Sequence, residues 1–161
     1  MSMASKIRAV VVSVSDTRDE SSDVSGMRLC ALLEDFGAEV LEKIIVTDDF
    51  ENLRQTIYSL TESDANLVLM TGGTGFAPRD NTPEATLAVI EKETPGISEA
   101  IRAESAKHTR FAMISRGVSG IRGGTLIINL PGSTKGVEQC FAVIAPILEH
   151  AIDQISGRTG H

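Results

Sequence analysis

Aromatic side chains are scarce: the 161 residues contain no Trp, one Tyr and five Phe, and 15 Lys and Arg stand against 22 Asp and Glu, for a net charge of −7. Nucleic-acid surfaces use basic stripes and rings that stack on bases, so this balance argues against a nucleic-acid partner. Cysteine is almost as rare. Cys30 and Cys140 both fall on apolar helical faces, where a thiol acts as a small buried hydrophobe, and neither suggests a disulfide or a thiolate metal site. His108, His150 and His161 are scattered, with no carboxylate or cysteine at ligand spacing, which argues against a histidine metal centre. No apolar run approaches the ~20 residues of a membrane span. The opening Met1-Ser2-Met3-Ala4-Ser5-Lys6 lacks the apolar core of a secretion signal, so a cytoplasmic protein without a membrane partner is expected. Two familiar phosphate loops are missing as well. No Gly-Lys pair exists, which removes the P-loop, and after Gly73 and Gly75 the third glycine of the dinucleotide fingerprint falls on Pro78.

What is present fits one α/β domain, since 42% hydrophobic content over this length can fill a single core. Ile7 to Val14 is a continuous β-branched run, the pattern of a strand covered on both faces. Leu29, Leu32, Leu33 and Phe36 then recur at helical spacing, and Gly37 is placed to end that helix. A second strand is expected over Glu39 to Val46, a helix capped by Asp49 with the stripe Phe50, Leu53, Ile57 and Leu60, and a third strand over Asn66 to Thr71. A third helix is expected from Pro83 to about Glu93 with Thr82 as its cap, another around Ile97 to Glu104, and Phe111 to Gly124 is ambiguous. A buried strand over Thr125 to Leu130 leads to a long last helix containing Pro146. Alternating strands and helices predict a three-layer fold: a mainly parallel sheet with helices on both faces.

The strand ends carry the chemistry. Leu67 to Met70 runs into Thr71-Gly72-Gly73-Thr74-Gly75, where glycines leave backbone N–H groups uncovered for anionic oxygens, and Arg79 and Asp80 follow. The other parallel strands end in Ser15-Asp16-Thr17, Thr47-Asp48-Asp49 and Pro131-Gly132-Ser133. In open α/β sheets ligands bind beyond the carboxyl ends of the strands, so these small, polar and acidic clusters converge on one edge. Ser119 lacks the G-x-S-x-G spacing of an acyl-transfer nucleophile.

Ser13-Val14-Ser15-Asp16-Thr17, Asp23-x-Ser25-Gly26, Thr71 to Gly75, Pro78-Arg79-Asp80-x-Thr82-Pro83-Glu84-Ala85-Thr86, Ser115 to Gly123 and Asn129-Leu130-Pro131-Gly132-Ser133 together resemble the molybdopterin adenylyltransferases of the MogA/MoaB type, to which a plant G domain is related. The likeness runs in order over one domain, residues 5–157. It implies a step in molybdenum cofactor biosynthesis, with molybdopterin and ATP as substrates and Mg²⁺ as cofactor. AMP passes to the terminal phosphate of molybdopterin and pyrophosphate leaves. By the same likeness Asp48 and Asp80 are the catalytic and metal-holding acids, and Ser15, Asp16, Ser25, Gly26, Thr71, Gly72, Gly73, Thr74, Gly75, Arg79, Ser119, Pro131, Gly132 and Ser133 bind substrate. It also implies a homotrimer that hands its product to a molybdenum-inserting enzyme. The family's Pro-Asp element is Thr47-Asp48 here with Asp49 behind it, so Asp49 is the rival for the second acid. A non-catalytic molybdopterin-binding protein of the same fold is the alternative function, and an unrelated flavodoxin-like binding domain a third.

Overall fold

The structure is a computed structural model that describes residues 4–158. Its elements are β1 (Arg8–Val14), α1 (Val24–Phe36), β2 (Glu39–Val46), α2 (Phe50–Thr61), β3 (Leu67–Thr71), α3 (Thr82–Val89), β4 (Lys92–Glu93), α4 (Pro95–Ala106), a 3-10 turn (Arg110–Ile114), β5 (Ser119–Arg122), β6 (Thr125–Leu130) and α5 (Thr134–Ile155). The sheet order is β2-β1-β3-β6-β5-β4. The first four of these strands are mutually parallel, whereas β5 runs antiparallel to both its neighbours, β6 and the edge strand β4.

Alternate side chains of a strand leave opposite faces, so a strand covered on both must be apolar throughout. In β1, Ala9 and Val11 join Leu67, Leu69, Leu126 and Ile128 beneath α1 and α5, in a layer with Leu29, Leu33, Ile144 and Leu148. Val10, Val12 and Val14 join Val68, Met70 and Ile127 against α2 and α3, in a layer with Leu53, Ile57, Ala85 and Val89. These two cores make the expected three layers. Helix α1 ends at Gly37, whose φ of 99° is the left-handed conformation that closes helices. Among the described residues no helix is long and apolar enough to cross a membrane.

Two expectations around α3 need correction. The helix stops at Val89 and not near Glu93, because Ile90 turns extended and the Glu91 N–H donates to Ile121 O at 2.8 Å, drawing the chain into the sheet edge. Gly120 makes this possible: a Cβ there would collide with the Ile90 side chain and lie 2.7 Å from Lys92 O. Thr82 is likewise not the cap. That position is Asn81, while Thr82 is the first helical residue and its Oγ1 donates to Gly72 O at 2.9 Å, tying the helix to the glycine loop. The ambiguous stretch Phe111 to Gly124 holds most of the 3-10 turn and the whole of β5.

Candidate active site

The carboxyl ends of the parallel strands meet. Ser15 N–H donates to Val46 O at 2.9 Å, and Gly72 N–H donates to Leu130 O at 3.2 Å. Thr71 Oγ1 donates to Pro131 O at 2.7 Å. A Cβ on Gly132 would stand 3.4 Å from Gly72 Cα, so the loops after β3 and β6 abut. The chain leaves β1 towards β2 on one side and leaves β3 towards β6 on the other, which makes the gap between β1 and β3 the switch point where such sheets bind ligands.

The glycine loop is built for close approach. Gly72 and Gly73 have φ of 99° and 69°, conformations that favour glycine. A Cβ on Gly73 would collide with Thr82 Oγ1 and lie 2.8 Å from Asp48 Oδ2, and one on Gly75 would lie 2.9 Å from Asp80 Oδ2. Two carboxylates on different segments therefore press against one loop. Among the described residues the N–H groups of Gly73, Thr74 and Gly75 take no protein partner.

Four charged groups interact here. The Arg79 guanidinium makes a two-pronged pair with Asp16, Nε to Oδ2 at 2.6 Å and Nη2 to Oδ1 at 3.0 Å. Asp16 Oδ1 also accepts the Asp48 N–H at 2.9 Å. The Arg79 bond, then the Asp48 N–H, hold the Asp16 carboxyl below its ordinary range. Asp48 is pushed the other way: burial raises it, the nearby charges of Asp80 and Asp16 add to the rise, and the N–H of Asn81, 3.0 Å from Oδ1, opposes it. Because its native pKa is raised, Asp48 contributes stability below its unfolded pKa that is lost as pH rises through the native value. Asp48→Asn, which mimics the neutral acid and keeps an acceptor for Asn81, is thus expected to raise the melting temperature at pH 7 in chelator and to gain less at pH 4. Calorimetric scans at pH 7 and pH 4 check this, and a gain absent at pH 7 would refute it.

Beside the loop opens a cavity of about 410 Å³, bordered by Thr74, Gly75, Ser105, Ser115, Ser133 and Lys135. Phe111, 71% exposed, stands on its wall.

Comparison with known proteins gives this edge its context. Residues 10–150 match a family model described as "Probable molybdopterin binding domain". The chain belongs to this family. It is 37% identical over 152 residues to the molybdopterin adenylyltransferase of Helicobacter pylori strain 26695, covering 91% of this chain and 86% of that one. It is 44% identical over 149 residues to the molybdenum cofactor synthesis protein cinnamon of Drosophila melanogaster, covering 90% of this chain but only 25% of the length of that relative. The solved structure of the molybdopterin biosynthesis Mog protein from Mycobacterium ulcerans superposes with a TM-score of 0.87 at 37% identity, covering 95% of this chain and 99% of that one.

Within the family domain, Asp16, Asp48, Thr71 to Gly75, Arg79, Asp80 and Pro131 to Ser133 come together at the sheet edge. Asp49 stands outside, exposed, capping α2 by accepting the Asn52 N–H at 2.9 Å. Ser133 Oγ caps α5 by accepting the Gly136 N–H at 3.0 Å. Ser15 Oγ accepts the N–H groups of Thr17 and Arg18, and Ser25 Oγ accepts from Arg18 Nη1 at 2.7 Å, so both organise the loop after β1. Gly26 lets Asp23 and Ser13 pack against α1, where a Cβ would collide with both. Ser119 is set apart: it is buried, 2.8 Å from Ser98 Oγ, and its hydroxyl donates to Thr94 O, within the packing of β5 on α4.

Three residues inside the quoted motifs, to which sequence reasoning assigned no role, prove to be contributors. Asp23 is fully buried and accepts from Ser13 Oγ and Lys43 Nζ. Asn129 links β6 to Val118 N–H and Thr86 Oγ1. Arg116 reaches the glycine loop. Only Asp23 has a local cue to its role, its position just before the α1 stripe; the side-chain partners of the other two lie 11 to 59 residues away.

Proposed function

We propose that the protein transfers AMP from ATP to the terminal phosphate of molybdopterin in molybdenum cofactor biosynthesis. An oxygen of that phosphate forms a bond to the α-phosphorus of ATP, the bond from the α-phosphorus to the bridging oxygen breaks, and pyrophosphate leaves with the electron pair. Nucleotidyl transfer is largely positioning and charge neutralisation. The observation that carries the reading is the pair of carboxylates, Asp48 and Asp80, set against one glycine loop in which the N–H groups of Gly73, Thr74 and Gly75 take no protein partner, beside a cavity of about 410 Å³.

The donor set suits Mg²⁺, a hard cation that takes one or two carboxylates and completes its shell with water and phosphate oxygens. Among the described residues no three His, Cys, Asp or Glu side chains converge to enclose an ion, so a cation held by Asp48 and Asp80 would depend on such outside ligands. When bound, Mg²⁺ would offset charge on the triphosphate and the departing pyrophosphate. The Gly73 to Gly75 N–H groups would receive phosphate oxygens, and Lys135, on the cavity wall, would add positive potential. Arg79 would leave Asp16 to reach the nucleotide.

Incubation with molybdopterin, ATP and Mg²⁺ tests this. Pyrophosphate is expected in step with loss of molybdopterin, and its absence while molybdopterin still binds would overturn the transferase reading in favour of a binding protein.

A further inference from the structure

Arg116 lies outside the strand ends, yet its side chain joins three segments of the site. Nε donates to Gly75 O at 2.8 Å, Nη2 donates to Asp80 O at 2.8 Å, and Nη1 pairs with Glu84 in the first turn of α3. Its own N–H donates to Thr74 O at 2.8 Å. The chain just beyond it is held in turn, because Arg102 Nη1 from α4 donates to Gly117 O at 2.7 Å.

A guanidinium is planar and presents its donors in a fixed fork, so carbonyls bound to two of its nitrogens cannot move independently. Here those carbonyls bracket the exposed turn Phe76 to Arg79. Within that bracket the Asp80 carboxylate accepts the Ala77 N–H at 3.0 Å, and its Oδ2 lies against Gly75. We propose that Arg116 is a positioning residue that staples the Phe76 to Arg79 turn and thereby holds the Asp80 carboxylate in place against the Gly72 to Gly75 loop. The proposal rests on the reading of Asp80 as a magnesium ligand. Lysine cannot replace the staple, since its ammonium is a flexible point charge without a fork.

The test compares Arg116→Lys, Arg116→Ala and Asp80→Asn with the parent protein. Amide hydrogen exchange without substrates is expected to rise about tenfold or more at Ala77 and Asp80, whose N–H groups are bonded within the turn, in both Arg116 variants, while β6 amides keep their protection. Turnover should fall on the order of 10- to 100-fold, as sub-ångström misplacement of a reacting constellation does, and the half-saturating Mg²⁺ concentration should rise with it. A lower melting temperature with parental exchange at Ala77 and Asp80 and parental Mg²⁺ dependence would mean that Arg116 only supports the fold, and would overturn the inference. Should Arg116→Ala fail to fold, Arg116→Lys is read by the same criteria. Full turnover in Asp80→Asn would remove the magnesium reading and the inference with it, whereas an inactive Asp80→Asn beside unaltered Arg116 variants would remove the inference alone.

Discussion

Asp23→Ala is expected to destabilise the protein by about 3–5 kcal/mol, the range for deleting one partner of a buried ion pair. Asp23 is fully buried at the start of α1 and accepts from Ser13 Oγ at 2.7 Å, Lys43 Nζ at 2.9 Å and Gly26 N–H at 3.2 Å. Alanine would take the acceptor from all three donors at once and leave Ser13 Oγ and the Gly26 N–H without it. Lys43, with a side chain only 15% exposed, would keep just the outlying Glu20 as its counter-charge. Asp23→Asn keeps the cap and the shape but loses the charge, so it should cost less. Burial alone would raise the Asp23 carboxyl, but Ser13, Lys43 and the Gly26 N–H outweigh it and leave the group below its usual value. A depressed native pKa gives stability that is present above the unfolded pKa of about 3.9 and lost as pH falls through the native one. The gap between the parent protein and Asp23→Asn should therefore be wide at pH 7 and narrow at pH 3. Urea denaturation at the two pH values measures it. An unchanged midpoint for Asp23→Ala at pH 7 would show that the pair contributes nothing net.

That network also shows where sequence reading stops. The Asp49 cap and the closure of α1 at Gly37 were legible because each depends on neighbours within a few residues. Periodicity was enough for both cores, since a strand apolar at every position can only be covered on both faces. It failed where tertiary contacts decide. Thr82 has the chemistry of a cap, yet its hydroxyl goes to Gly72 O, ten residues back. Strand β4 has two residues, both exposed and charged, and exists because β5 offers an edge to it. The glycine loop and the acids around it were readable as residue types at strand ends. Their arrangement was not: the Asp16–Arg79 pair joins residues 63 apart, and the Asp48 carboxylate accepts the N–H of Asn81, 33 residues on.

The acids around the loop can be told apart by kinetics. Asp80→Asn keeps the size of the side chain and an oxygen that can accept the Ala77 N–H, the bond seen at 3.0 Å, but it loses the charge facing Gly75. If that charge holds Mg²⁺ against the triphosphate, turnover should drop about a hundredfold, on the order of 3 kcal/mol of transition-state stabilisation, while molybdopterin affinity stays near the parent value. Asp48→Asn should lose turnover to a similar degree although it melts higher, because the charge that burial opposes is the one the reaction needs. That combination separates a functional acid from a structural one, since a structural acid would lower stability and activity together. Asp49→Asn is the control. It is exposed, its role is to cap α2, and asparagine caps helices as well as aspartate does, so both stability and turnover should stay close to the parent. Pyrophosphate release and molybdopterin binding, measured side by side for the three variants, decide among these outcomes. Parental turnover in Asp80→Asn would rule out its part in holding the metal, and a large loss confined to Asp49→Asn would transfer the second acid's role to the residue outside the cleft.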